Sequence, residues 1–254
     1  MKKKKQQTYK IIVALVLISI ANFLPAQSVW KASYCKCDTI NILADTIERD
    51  SLLGANSLII YTPINCSLQL VARRPDTNNT NIVFVVPAAF TAKNYKEIVG
   101  KFVGKDTIVT NPTENETGIC AINDKNVYIG EIKDSSVYYY NSIQNENSYY
   151  FQQMLLVQNH KKVECTIFGK QKPTFRRALA IKNSQVSVVE SLYRMNIEDF
   201  TNVLISQGYK DAIYLDMGTW SEGYFISRSN EKTSIGQLKH NTRHQTNWLL
   251  FVKD

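Results

Sequence analysis

The stretch Asp211-Ala212-Ile213-Tyr214-Leu215-Asp216-Met217-Gly218-Thr219-Trp220-Ser221-Glu222-Gly223 runs from an apolar, strand-like segment onto a carboxylate, then into small and hydroxyl-bearing residues. Glycine in such a turn lets the backbone approach a ligand closely. The residues just upstream read as a helix. Asn196 stands as its N-cap and Asp199 at the third position, Ile197, Phe200, Val203 and Leu204 share a face, and Gly208 stops it. Further upstream, residues 177–182 and 185–190 form a hairpin that turns at Asn183-Ser184. The predicted order is therefore hairpin, helix, strand, carboxylate, turn.

Over residues 176–221 this order resembles the phosphodiester glycosidase family, which has roughly R-T-A-L-G, a hairpin, a helix, then G-x-x-x-A-L-N-L-D-G-G-G-S-S. Arg176 matches the family's arginine, and Asp216, Gly218 and Ser221 match its aspartate, second glycine and last serine. Met217, Thr219 and Trp220 replace two glycines and a serine. Residues 87–91, Pro87-Ala88-Ala89-Phe90-Thr91, resemble the family's N-A-G-F-F turn, with proline in place of asparagine. Arg243, followed by Asn247-Trp248-Leu249-Leu250-Phe251, resembles its closing strand. The resemblance implies an α+β fold and hydrolysis of a sugar held through a phosphodiester; the sequence carries no phosphate-loop, dinucleotide or metal-binding pattern, so no cofactor or metal is expected.

The first 26 residues read as a secretory signal. Lys2 to Lys5 and Lys10 form a charged region, residues 11–20 an apolar one, and Pro25-Ala26 precedes a cut near Gln27. Ten apolar residues fall short of the roughly 20 that span a bilayer, so no lasting membrane anchor is expected. Five lysines and no acids lie in this segment, so its removal takes the formal charge from +8 to +3. A balance that small argues against a nucleic-acid partner, which calls for a basic face with interleaved aromatics. The expectation is one domain over residues 27–254, secreted or placed in the periplasm or cell envelope.

The odd cysteine count, Cys35, Cys37, Cys66, Cys120 and Cys165, fits no zinc spacing. Cys66, Cys120 and Cys165 read as buried thiols, and one bridge from Cys35 or Cys37 stays open. Residues 39–71 alternate apolar and polar positions, as half-buried strands do. The continuous apolar runs 57–61 and 82–86 suit central strands covered on both faces. Residues 94–148 read as short strands between loops, including 126–129 and 136–140. Tyr138-Tyr139-Tyr140 and Tyr149-Tyr150-Phe151 read either as an exposed strand edge or as a platform for sugar rings. The fold class expected is α+β, a mostly antiparallel curved sheet with a few helices packed on it.

Cleaving a sugar phosphodiester needs a phosphate site and groups acting at the anomeric carbon. Arginine suits phosphate because its planar fork gives two parallel hydrogen bonds. Arg176, with Asp216 and Glu222 as the carboxylates, is the expected catalytic set. Arg177, Gly218, Thr219, Ser221, Phe90, Thr91 and Arg243 are the expected substrate contacts. Strand neighbours point to opposite faces, so only one of Arg176 and Arg177 is expected to face the site. Other chemistries fit poorly. Trp220-Ser221-Glu222-Gly223 lacks the glycine that a G-x-S-x-G elbow needs, and His240 and His244 lack the glutamate of H-E-x-x-H. Two functions remain: an exported hydrolase of a phosphate-linked glycan or envelope polymer, or a non-catalytic carbohydrate-binding or surface-structural protein on the same fold.

Overall fold

The computed structural model describes residues 31–34, 58–63, 65–110, 116–123, 126–164, 172–217, 221–226, 231–236 and 242–253. The expected signal, Cys35, Cys37, Cys165, His240 and the motif residues Gly218, Thr219 and Trp220 lie outside them. Among the described residues, no helix is long and apolar enough to cross a membrane.

The strands form three sheets where the sequence suggested one curved sheet, and every pairing within them is antiparallel. In the first sheet the order is β1 (Lys31–Tyr34), β2 (Leu58–Thr62), β13 (Gln185–Ser191), β12 (Arg177–Lys182), β14 (Asp211–Tyr214), β10 (Leu155–Gln158) and β11 (Lys161–Lys162). The second runs β16 (Lys232–Ile235), β15 (Gly223–Ile226), β4 (Ile82–Pro87), β17 (Trp248–Lys253) and β3 (Cys66–Val71). The third runs β6 (Ile108–Val109), β5 (Phe102–Val103), β9 (Ser148–Gln153), β7 (Gly118–Asn123) and β8 (Asn126–Glu131).

One apolar core joins all three sheets. Tyr61, Leu179 and Val188 enter it from the first, Phe84 and Phe251 from the second, and Phe102, Cys120 and Phe151 from the third. Alternation along a strand then separates the two faces of each sheet. On β4, Phe84 faces this shared core, while Val85 belongs to an outer cluster with Tyr224, Trp248 and Leu250. On β12, Leu179 faces the shared core, while Ala178 and Ala180 face a second cluster built with the helix α2 (Ile197–Ser206).

The helix follows its sequence signals. Asn196 is extended and its Oδ1 accepts the Asp199 N–H at 2.7 Å, while its Nδ2 donates to the Asp199 carboxylate at 2.7 Å. Ile197, Phe200, Val203 and Leu204 are buried on the sheet, and Gly208, at φ +81°, ends the helix. The hairpin turn has Asn183 and Ser184 both in the left-handed region, as a two-residue turn matching strand twist requires.

Two expectations are corrected. Residues 136–140, read as a strand, lie in the helix α1 (Ser135–Gln144). Tyr139 and Ser142, three apart, are its buried positions, and Ser142 donates to the Tyr138 carbonyl at 2.9 Å. Tertiary packing overrides the strand preference of a tyrosine run here. Tyr149-Tyr150-Phe151, read as exposed, lie in β9 between β5 and β7 and are buried, with Tyr139 edge-on to Tyr150 at 5.3 Å between ring centroids. Cys66 and Cys120 are buried, and burial pushes the Cys120 thiol up, out of the reactive range.

Candidate active site

Asp216, just after β14, is the centre of the site. Its backbone N–H donates to the Ala88 carbonyl at 2.8 Å, which joins the end of β14 to the turn after β4. That turn is held by Asn247. The Ala89 N–H donates to Asn247 Oδ1 at 2.7 Å, and Asn247 Nδ2 donates back to the Ala89 carbonyl at 3.0 Å. Thr91 closes the same clamp, its hydroxyl 2.9 Å from that of Thr246 and accepting the Thr246 N–H at 3.2 Å. Thr91 is thereby placed so that its own N–H donates to the Asp216 carboxylate.

Asp216 is buried, and its Oδ2 has no hydrogen-bond partner. Burial pushes the carboxyl up from 3.8 to about 7, and the Thr91 N–H and the Arg177 charge only partly offset this. Near neutral pH this group therefore holds its proton about half the time.

Arg176 and Arg177 face opposite sides of the sheet. Arg177 is fully buried beside Asp216. Its Nε donates to Glu190 Oε1 at 2.6 Å and its Nη2 to the Ser221 carbonyl at 3.0 Å, while Nη1 has no partner. Arg176 lies on the helix side. Its Nε donates to the Met195 carbonyl at 3.1 Å, Nη2 to the Lys172 carbonyl at 3.3 Å, and Nη1 reaches the Tyr214 hydroxyl at 3.5 Å. The Tyr214 hydroxyl donates in turn to the Met217 carbonyl at 3.1 Å. Burial raises the Tyr214 pKa, the two arginines lower it and the Asp216 charge raises it, so the Tyr214 hydroxyl lies in the field of all three.

The remaining candidates are placed as follows. Phe90 packs on Tyr214, with ring centroids 5.7 Å apart, so it walls the site together with Thr91. Ser221 is buried and gives its carbonyl to Arg177. Gly236, at φ +92°, lies against that carbonyl so closely that a β-carbon there would overlap it. Glu222 turns away from Ser221 and takes a two-point contact from Arg74, at 3.0 and 3.2 Å, in a separate cavity. Arg243 is exposed, its Nε donating to His244 Nε2 at 3.1 Å, and His244 lies against Tyr95. Structure thus gathers Asp216, Arg177, Ser221, Phe90 and Thr91, with Arg176 reaching them through Tyr214.

Three residues of this arrangement were not picked from the sequence: Glu190, Tyr214 and Asn247. Glu190 was the most legible, since the Asn183-Ser184 turn sets Arg177 directly opposite it. Tyr214 stands two residues before Asp216, at strand spacing. Nothing local marks Asn247, whose partners are 158 residues away.

No protein-family model matches the sequence, and no curated protein matches it. Solved structures do. The catalytic domain of zebrafish N-acetylglucosamine-1-phosphodiester alpha-N-acetylglucosaminidase, auto-inhibited by its pro-peptide, superposes with a TM-score of 0.55 at 10% identity, covering 91% of this chain and 85% of that one. A hypothetical protein from Synechocystis gives 0.54 at 12% identity, covering 90% of this chain and 64% of that one. At such identities the likeness is one of fold: a sheet-rich α+β arrangement resembling a phosphodiester glycosidase domain.

Proposed function

We propose that this chain is an exported glycoside hydrolase acting on a sugar held through a phosphodiester, in a glycan or a cell-envelope polymer. The observation that carries the reading is the buried Asp216 carboxyl, pushed up to about 7 and with one oxygen unpartnered, beside an unpartnered Arg177 N–H. A buried anion with a bare oxygen is poorly stabilised at rest. Positive charge developing at an anomeric carbon would relieve it, and stabilisation that grows toward the transition state is what accelerates a reaction.

Asp216 acts as the carboxylate at the reacting carbon. Arg177 offers its remaining N–H to the departing phosphate or to a sugar oxygen, while Glu190 and the Ser221 carbonyl fix the guanidinium plane. Arg176 positions the Tyr214 hydroxyl. A phosphate monoester needs less protonation to leave than a sugar alkoxide does, so the arginine matters as much as a second acid. Glu222, engaged by Arg74, has no part in this scheme.

The test is release of free sugar from a phosphodiester-linked glycan by the wild type and by Asp216→Asn. Loss of turnover by orders of magnitude in the variant, with glycan binding kept, supports the hydrolase. A second reading, glycan binding without turnover, is favoured by the commitment of Arg177 to Glu190, and a wild type that binds but never cleaves would establish it.

A further inference from the structure

Among the described residues six large apolar side chains stand exposed, and four of them gather on the helix side of the third sheet: Val137 (65% exposed), Tyr140 (61%), Ile108 (50%) and Ile143 (38%). Val137, Tyr140 and Ile143 stand three apart on α1, so they form one inclined ridge. Tyr140 leans edge-on to Tyr139, with ring centroids 5.9 Å apart, and still keeps most of its surface open. Ile108 joins the ridge through the register of the sheet. It pairs with Val103 on β5, and paired residues share a face. Val103 packs with Tyr139 of α1, whereas the next pair, Phe102 and Val109, faces the shared core. The helix turns one flank toward Ile108. Tyr138 stacks on Tyr128 of β8, with centroids 4.1 Å apart, while the Tyr139 hydroxyl donates to the Val109 carbonyl of β6 at 3.1 Å. Ile143, one turn beyond Tyr139, therefore stands on the β6 flank, and Tyr140 is its neighbour on the ridge. The four side chains make one band from the sheet edge to the outer face of the helix.

Charge decides what this band can meet. All ten residues of α1 are uncharged. Charges of both signs stand at its margins: Glu131 and Lys133, paired at 2.7 Å, with Asp134 ahead of the helix; Glu146 beyond its end; Lys105 and Asp106 in the turn before β6; and Lys101, whose ammonium lies 4.8 Å from the Tyr139 ring centroid. A helix that lies in a lipid interface carries lysine and arginine on its polar face, and this one carries neither. A strongly charged protein partner calls for opposite charge across the contact, which α1 does not offer. A second copy of the same uncharged surface, turned about a two-fold axis, meets no like charge on the helix. Area sets the strength. Four such side chains expose on the order of 100 Å² each, and with the exposed polar rim of Ser136, Asn141 and Gln144 two copies would bury roughly 1,000 Å² together, the range of weak, reversible contacts.

We infer that the outer face of α1, with Ile108 on the edge strand β6, is the contact surface of a weak two-fold homodimer. The two copies of α1 lie antiparallel across the axis. Tyr140, the middle of the ridge, meets its counterpart there, and Val137 meets Ile143 of the second copy. The contact also covers the β6 edge of the third sheet, which an unpaired strand otherwise leaves open to chance pairing. None of these side chains belongs to the candidate active site, so the surface stands or falls apart from the hydrolase reading.

Sedimentation equilibrium of the purified protein over a wide concentration range tests it. A monomer–dimer equilibrium is expected, with a Kd of about 10 to 100 µM, as a contact of this size gives. Tyr140→Lys and Tyr140→Glu each set two like charges against one another across the axis, and each is expected to weaken the dimer by about tenfold or more. Mixed one to one, the two variants are expected to dimerise again, because opposite charges then meet. That recovery belongs to a self-contact through Tyr140, and a misfolded variant would not show it. Asp216→Asn is expected to leave the equilibrium unchanged. A wild type that stays monomeric throughout, a dimer indifferent to both Tyr140 substitutions, or a mixture that stays monomeric would overturn the proposal. So would a monomer that sediments with phosphatidylglycerol vesicles and no longer does so as Tyr140→Glu, a result that would assign the face to lipid.

Discussion

At the scale of single residues, Asp216 sets the pH behaviour. Its folded pKa lies above the unfolded one, so folding disfavours the ionised form. Any stability cost is absent below about pH 4 and grows as pH rises toward 7, to roughly 4 kcal/mol when fully ionised. Asp216→Asn removes this dependence. Thermal unfolding between pH 4 and 8 should therefore show the variant more stable than the wild type at pH 8, and the two converging at pH 4. For the hydrolase, kcat/KM should rise with pH through about 7, because that profile reports the free enzyme's essential carboxylate. Glu190→Gln leaves Arg177 buried without its counter-charge, which should cost about 3 to 5 kcal/mol in urea unfolding. The freed positive charge should also draw the Asp216 pKa down. Asp216 was legible because it ends an apolar run before a glycine-bearing turn. The direction of Glu222 was not, since a one-residue offset chooses between two faces.

Among the elements, the clamp from Asn247 to the turn after β4 matters most for the site. Asn247→Ala leaves the Ala89 N–H and carbonyl unpaired in the interior. It should cost about 3 kcal/mol by denaturant titration. Because the turn also presents the Thr91 N–H, loosening it should raise the Asp216 pKa further, visible as a shift of the pH–rate profile to higher pH. The cap of α2 is a local matter: Asn196→Ala should cost about 1 kcal/mol and leave that profile in place. Elements whose signals are local were readable, as α2 shows through its cap, its spacing and Gly208. α1 was not, because Tyr138-Tyr139-Tyr140 favours a strand and only the burial of Tyr139 and Ser142 makes it helical.

For the whole molecule, the sequence showed strands but not how they divide. A buried run such as residues 82–86 is equally compatible with a curved sheet or with three sheets around one core, since the choice lies in pairings between distant segments. If residues 1–26 direct export, N-terminal sequencing of protein from the envelope or medium should begin within a few residues of Gln27, and an intact Met1 there would reject it. The clamp on the turn after β4 also orders events in time. A ribosome delivers Ala89, Arg177 and Asp216 well before Asn247, so the nascent chain can hold every group of the site and still lack the strand that fastens them. For the hydrolase proposed above, the site would therefore be complete only once β17 has docked.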